Sequence, residues 1–142
     1  MIQINEVVGN TPLVDIINSK MPNLLTRDEE LAINKCQMFS ASSYVVMNDE
    51  ELMCVWGLIP PSILSTEVYL WLHVTPNVVG HHFQFVRHTQ MVLQEILKDY
   101  EVVVGQVKVD APQNKKFVKM LGAKFGETTG DFTQFRIERK WQ

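Results

Sequence analysis

At 142 residues with 46% hydrophobic content, the chain is long enough for one core and too short for two ordinary domains, so a single domain over 1–142 is expected. Its formal net charge of −3 is uninformative as a total, but the acidic first 100 residues argue against general affinity for a polyanion. With no uninterrupted apolar run of about 18 residues and no leader of basic, apolar and small segments, a soluble intracellular protein without a membrane span is expected.

The charge is unevenly spread. Residues 1–100 hold five Lys/Arg against eleven Asp/Glu (−6), and residues 101–142 hold eight against five (+3). Cys36 and Cys54 lack metal-ligand spacing and sit in apolar surroundings, which reads as two buried thiols.

Ile2 and Ile4 alternate within Met1 to Glu6 and predict a short first strand. Thr11 and Pro12 predict a helix start, with a hydroxyl cap and proline at the first helical position, and Pro22 ends that helix. Thr26 with Glu29 three residues on is a capping box for a second helix, whose Leu31, Ile33 and Cys36 are expected to face inward. From Ser43 the period changes to two. Tyr44 to Met47 and Leu52 to Leu58 predict an antiparallel hairpin, closed by Gly57 and the Pro60-Pro61 pair.

The segment from Glu67 to Val109 reads as one β-α-β unit. Glu67 to Val74 is a strand, Thr75 to Gly80 a sharp break, and the following helix carries Phe83, Val86, Leu93, Ile96 and Leu97 on its apolar side. Val102 to Val109 is β-branched enough for a strand buried on both faces. Asp110 is a candidate cap, Pro112 lies in the first turn of a final helix, and Phe117, Val118, Met120 and Leu121 are its inner side, ended by Gly122. Lys124 to Thr128 and Phe132 to Arg139 predict a closing hairpin around Gly130-Asp131.

The order β-α-α-β-β-β-α-β-α-β-β, with one parallel crossover in an otherwise antiparallel α/β (α+β mixed) sheet, resembles the GNAT acyl-CoA N-acyltransferase fold. More narrowly, Phe85 to Ile137 resembles the GNAT-like internal virion protein A family of short-tailed bacteriophages. That likeness is carried by Leu97 and Tyr100, Val107 to Val109, Phe117 and Lys119, Leu121-Gly122-Ala123, Phe125, and the strand with Phe132, Gln134 and Phe135. It implies a phage GNAT-fold protein acting as a non-catalytic virion or assembly module without a cofactor. Its partners would be other virion or host proteins, met in the host cytoplasm during infection or in the packaged particle.

The alternative implied by the wider GNAT likeness is an acetyl-CoA-dependent N-acetyltransferase with a divergent pyrophosphate loop. Such enzymes carry glutamine or arginine, two residues, glycine, one residue, then glycine or alanine, because phosphates approach the backbone where a Cβ would collide. Here Gly80 fits the first glycine when the count starts at Asn77, and His82 fills the second. Leu72, Val74, Val79, Gly80, His81 and His82 would then hold acetyl-CoA or coenzyme A. The asparagine and tyrosine that the family places after the next strand correspond to Ala111 and Val118, neither of which carries a proton. Glu67 is the candidate general base, acting through a water, although a solvated strand-end carboxylate explains it as well.

Tyr69 and Tyr100 read as packing residues, and His73 as a semi-buried strand residue. His81, His82 and His88 lack the spacing and the partners of a metal site. Lys115, Lys116, Lys119 and Lys124, with Arg136, Arg139 and Lys140 beside Trp141, form a basic stretch that would suit nucleic acid or an acidic partner protein. A phage effector binding a host enzyme is the third reading.

Overall fold

The structure is a computed structural model that describes residues 2–7, 11–60 and 66–139. Met1, Pro61, Lys140 and Trp141, which figure in the expectations above, lie outside the described residues. The elements follow the predicted order: β1 (Ile2–Glu6), α1 (Leu13–Lys20), α2 (Arg27–Phe39), β2 (Ser42–Asn48), β3 (Glu51–Ile59), β4 (Glu67–Val74), α3 (His82–Asp99), β5 (Val102–Lys108), α4 (Pro112–Met120), β6 (Lys124–Thr129) and β7 (Phe132–Glu138). A 3-10 turn at Pro76–Val78 follows β4. The strand order is β1-β2-β3-β4-β5-β7-β6, with β4 and β5 parallel and the other recorded pairs antiparallel. The chain divides into two compact units, residues 1–59 with 71–81 and residues 60–70 with 82–142, and the division falls inside β4.

In the first unit, β3 is the strand buried along its whole middle, from Leu52 to Leu58. Across the β2–β3 ladder, Tyr44 stands opposite Trp56 and the rings stack at 4.1 Å and 15°. The Thr26 capping box forms as expected, with Glu29 N donating to Thr26 Oγ1 and Thr26 N to Glu29 Oε1. The start of α1 departs from expectation. The helix begins at Leu13 after Pro12, and the Thr11 side chain makes no cap; Gln37 of α2 does that work, its Oε1 accepting from Leu13 N at 2.8 Å while its Nε2 donates to Thr11 O. A distant amide therefore replaces the local hydroxyl. Ser40, just past α2, accepts the Trp71 indole N–H at 2.6 Å and donates to Cys36 O, and Gly57 leaves the room for that ring. Leu31 is 51% exposed rather than inward, because it lies two residues from the buried Ile33 and so on nearly the opposite side of the helix.

In the second unit, Glu67–Tyr69 pair in parallel with Val102–Val104, and β5 pairs along its length with β7. Facing pairs share a side of the sheet. Val103 with Ile137, Gly105 with Phe135 and Val107 with Thr133 make the buried side. Only the start of β5 is buried on both faces; it ends at Lys108, and Val109 is an exposed turn residue. At Gly105 a Cβ would meet the Phe135 ring at 2.5 Å and the Leu70 carbonyl at 2.7 Å, so glycine is what lets that ring lie on the strand. On α3 the buried arc is Phe85, Val86, Leu93, Ile96 and Leu97, and Phe85 touches Phe117 of α4 at 5.0 Å. Phe83 falls off that arc and is 77% exposed. Met120 is likewise outward, two positions from the fully buried Val118. Ala111, not Asp110, precedes α4 as its cap residue and contributes no side-chain bond. Gly122, at φ 94°, ends the helix, with Gly122 N donating to Lys119 O and Ala123 N to Val118 O, the paired bonds of a Schellman motif. Arg139 Nε donates to Leu97 O at 2.7 Å, placing a cation at the negative end of α3.

Gly105→Ala is expected to lower stability by about 1–3 kcal/mol through overpacking against Phe135 and the Leu70 carbonyl. Urea unfolding checks this, with the midpoint falling and the slope unchanged.

Candidate functional site

The loop after β4 is built on Thr75. Its side chain is buried, Oγ1 donates to Leu52 O at 2.6 Å, and its N–H donates to Met53 O at 2.9 Å. The same Oγ1 accepts from Asn77 N, and Asn77 Nδ2 donates to Leu52 O at 2.9 Å. Val78 N donates to Thr75 O, Val79 N to Pro76 O and His81 N to Val78 O. The loop thus spends the amides of 77, 78, 79 and 81 on its own turns, while no backbone acceptor inside the loop takes the Gly80 amide.

Gly80 sits at φ 87°, and a Cβ built there would meet nothing within 4 Å. Glycine is required here by the backbone angle, and the space beside it is open. Among the other residues expected to hold an acyl-CoA, Leu72, Val74 and His81 are half-buried, Val79 is exposed, and His82 opens α3. The loop therefore lacks a second glycine at His82, and what it offers at Gly80 is an amide that the loop's own turns do not use, beside an open flank.

A second feature lies wholly in the other unit. A cavity of about 360 Å³ opens on the sheet side away from Phe135 and Val103, walled by Glu67, Tyr69, Gln106, Lys124, Gln134 and Arg136. Strand register puts them there: Tyr69, Val104, Arg136 and Lys124 form one transverse row, and Gln106 and Gln134 form the next. Arg136 Nη1 donates to Glu67 Oε1 at 3.1 Å and Arg136 Nε to Glu138 Oε1 at 3.3 Å. The hydrogen bonds to Glu138 and then Glu67 hold the guanidinium above its ordinary value. Glu67, the candidate base, therefore stands at the wall of this cavity with one oxygen oriented by an arginine. Tyr69, read from the sequence as packing, shares that wall.

Elsewhere the chemistry thins out. Val118, where the family's tyrosine would stand, is completely buried. Cys54 is buried, and desolvation pushes its thiol well up. Cys36 is half-buried, and desolvation also raises its thiol, opposed by the charge of Lys35. Among the described residues no group of three or more His, Cys, Asp or Glu is placed to hold a metal ion, and no helix is long and apolar enough to cross a membrane. The basic stretch is dispersed. Lys115 Nζ sits 5.5 Å from the Phe125 ring centroid, Arg136 and Arg139 are engaged as described, and Lys116 and Lys119 are exposed on α4.

This architecture is the GNAT fold, and solved structures of N-acetyltransferases match the chain end to end. The N-acetyltransferase PseH of Campylobacter jejuni in complex with acetyl coenzyme A is 15% identical, with TM-score 0.60 over 99% of this chain and 100% of that one. A variant of the spermidine N-acetyltransferase SpeG of Vibrio cholerae is 14% identical, with TM-score 0.66 over 96% and 94%. A Bacillus subtilis acetyltransferase in complex with CoA is 10% identical, with TM-score 0.69 over 98% and 99%. No protein-family profile and no curated protein matches the sequence.

Gly80→Ala should cost about 1–2 kcal/mol of stability, since the left-handed angle is strained for alanine and no contact offsets it. Thermal or urea unfolding reads that loss. A raised thiol pKa means less thiolate at a given pH, so at pH 8 Cys36 should alkylate more slowly than free cysteine, gaining speed as pH climbs past the ordinary thiol value of 9.0, with Cys54 unlabelled until unfolding. Mass spectrometry of iodoacetamide-treated protein distinguishes the two sites.

Proposed function

We propose that the chain is an acyl-CoA-dependent N-acetyltransferase whose cofactor contact is made by backbone at Gly80 and whose acceptor site is the cavity around Glu67. The observation that carries this reading is that cavity: a carboxylate on the fourth strand, oriented by Arg136 and set in a hollow large enough for a small amine. The full-length likeness to N-acetyltransferases, two of them with acetyl coenzyme A or CoA bound, supports it at the level of fold. When bound, an acyl-CoA supplies an activated acyl thioester. Glu67 accepts, through a water, the proton that an ammonium must lose before its nitrogen attacks the acyl carbon. With Val118 buried there is no phenol at the family's acid position, so the departing thiolate takes its proton from solvent.

A second reading is favoured by that same Val118 and by Ala111: a phage virion or assembly module, or an effector of a host enzyme, that keeps the scaffold without the reaction. It places the protein in the host cytoplasm during infection or within the particle.

Calorimetry with acetyl-CoA separates the two. The enzyme reading expects micromolar binding, abolished by Gly80→Trp, which fills the open flank of the loop. It also expects Glu67→Gln to lower turnover by about 10²–10⁴-fold with binding intact. Absence of binding at millimolar acetyl-CoA, together with the chain's presence in purified particles by proteomics, would establish the second reading instead.

A further inference from the structure

The cavity around Glu67 is electrically lopsided. The Glu67 carboxylate of β4 is already paired with the guanidinium of Arg136 on β7, which also bonds Glu138 of its own strand, outside the wall. At its β6 side stands Lys124, exposed and directly opposite Arg136 in the β6–β7 ladder, with no carboxylate within 4.0 Å among the described residues. Like charges facing each other across a ladder repel, and nothing in the wall relieves that pair from the Lys124 side. Three strand spacings, roughly 14 Å of sheet, separate β4 from β6, and both ends lean side chains into the hollow.

We infer that the acceptor held in this cavity is a small primary amine that also carries an anionic group several bonds away, a carboxylate or a phosphate. The inference rests on the acetyltransferase reading for what happens to the amine, and on the cavity alone for what binds. The ammonium lies toward Glu67, the anion lies at Lys124 on the far strand, and the amides of Gln106 and Gln134 line the span between them. A polyamine of the kind named for the Vibrio cholerae neighbour meets Lys124 with its second cation. The same field that draws in an amphoteric ligand rejects it.

The test is direct binding to the full chain without any acyl-CoA, by calorimetry or NMR titration, with 6-aminohexanoate, 4-aminobutyl phosphate and spermidine as probes. Both anionic amines are expected to bind at least about tenfold more tightly than spermidine at low salt, with the gap closing as salt screens the charges. The tighter of the two identifies the anion as carboxylate or phosphate. Lys124→Glu should reverse the order, weakening the anionic amine about tenfold and strengthening spermidine. Lys119→Glu, the same charge change on the exposed surface of α4, should leave the order as it is. Spermidine binding as well as the anionic amines, no binding by either anionic amine, or equal effects of the two lysine variants would each overturn the inference. Because acyl-CoA takes no part, these results stand apart from any failure of the cofactor itself to bind.

Discussion

Burying a hydroxyl and an amide without partners costs a few kcal/mol, and Thr75 is where the chain accepts that risk and meets it in full. Its Oγ1 and N–H are bonded to carbonyls of Leu52 and Met53, which ties the end of β4 to the start of β3. Asn77 doubles the tie by reaching Leu52 O. Everything that makes the loop distinctive follows from this anchor. The 3-10 turn at Pro76–Val78 is closed by the same threonine, the turn consumes the amides that a phosphate-binding loop would present, and Gly80 is left to redirect the chain.

Likeness of scaffold does not extend to every side chain. The strand order and the helix positions are those of the N-acetyltransferase fold. The position that would hold a phenolic acid is occupied by a fully buried valine, which has become core. On one face of the second unit, by contrast, β4, β5, β7 and β6 bring a carboxylate, two cations, two amides and a phenol to the wall of one cavity.

Local signals in the sequence were read correctly where the physics is local. The Thr26–Glu29 box, the Gly122 helix end and the turn at Gly130-Asp131 each need only neighbours in the chain. Helix rotation is not local in that sense: Leu31, Phe83 and Met120 are apolar but lie off the buried arc, and composition alone does not reveal that. The start of α1 was misread because its partner, Gln37, comes from 24 residues away. The same limit applies to the cavity around Glu67. Arg136 and Glu67 are 69 residues apart, and only the register of three strands, β4, β5 and β7, brings them within 3.1 Å. Glu67 was visible as a candidate; the residues that give it surroundings were not.

The β6 strand closes one end of the sheet with every residue exposed, and its pairing with β7 slips between Phe125 and Thr128. A bare edge is a template on which another chain can lay a strand and begin a fibre. An irregular edge that opens with a lysine and is interrupted by Gly126 is a poor template. Lys124 thus bears on colloidal stability: a crowded solution of this protein is discouraged from growing intermolecular sheet at this border by a charge that also stands in the wall of the neighbouring hollow.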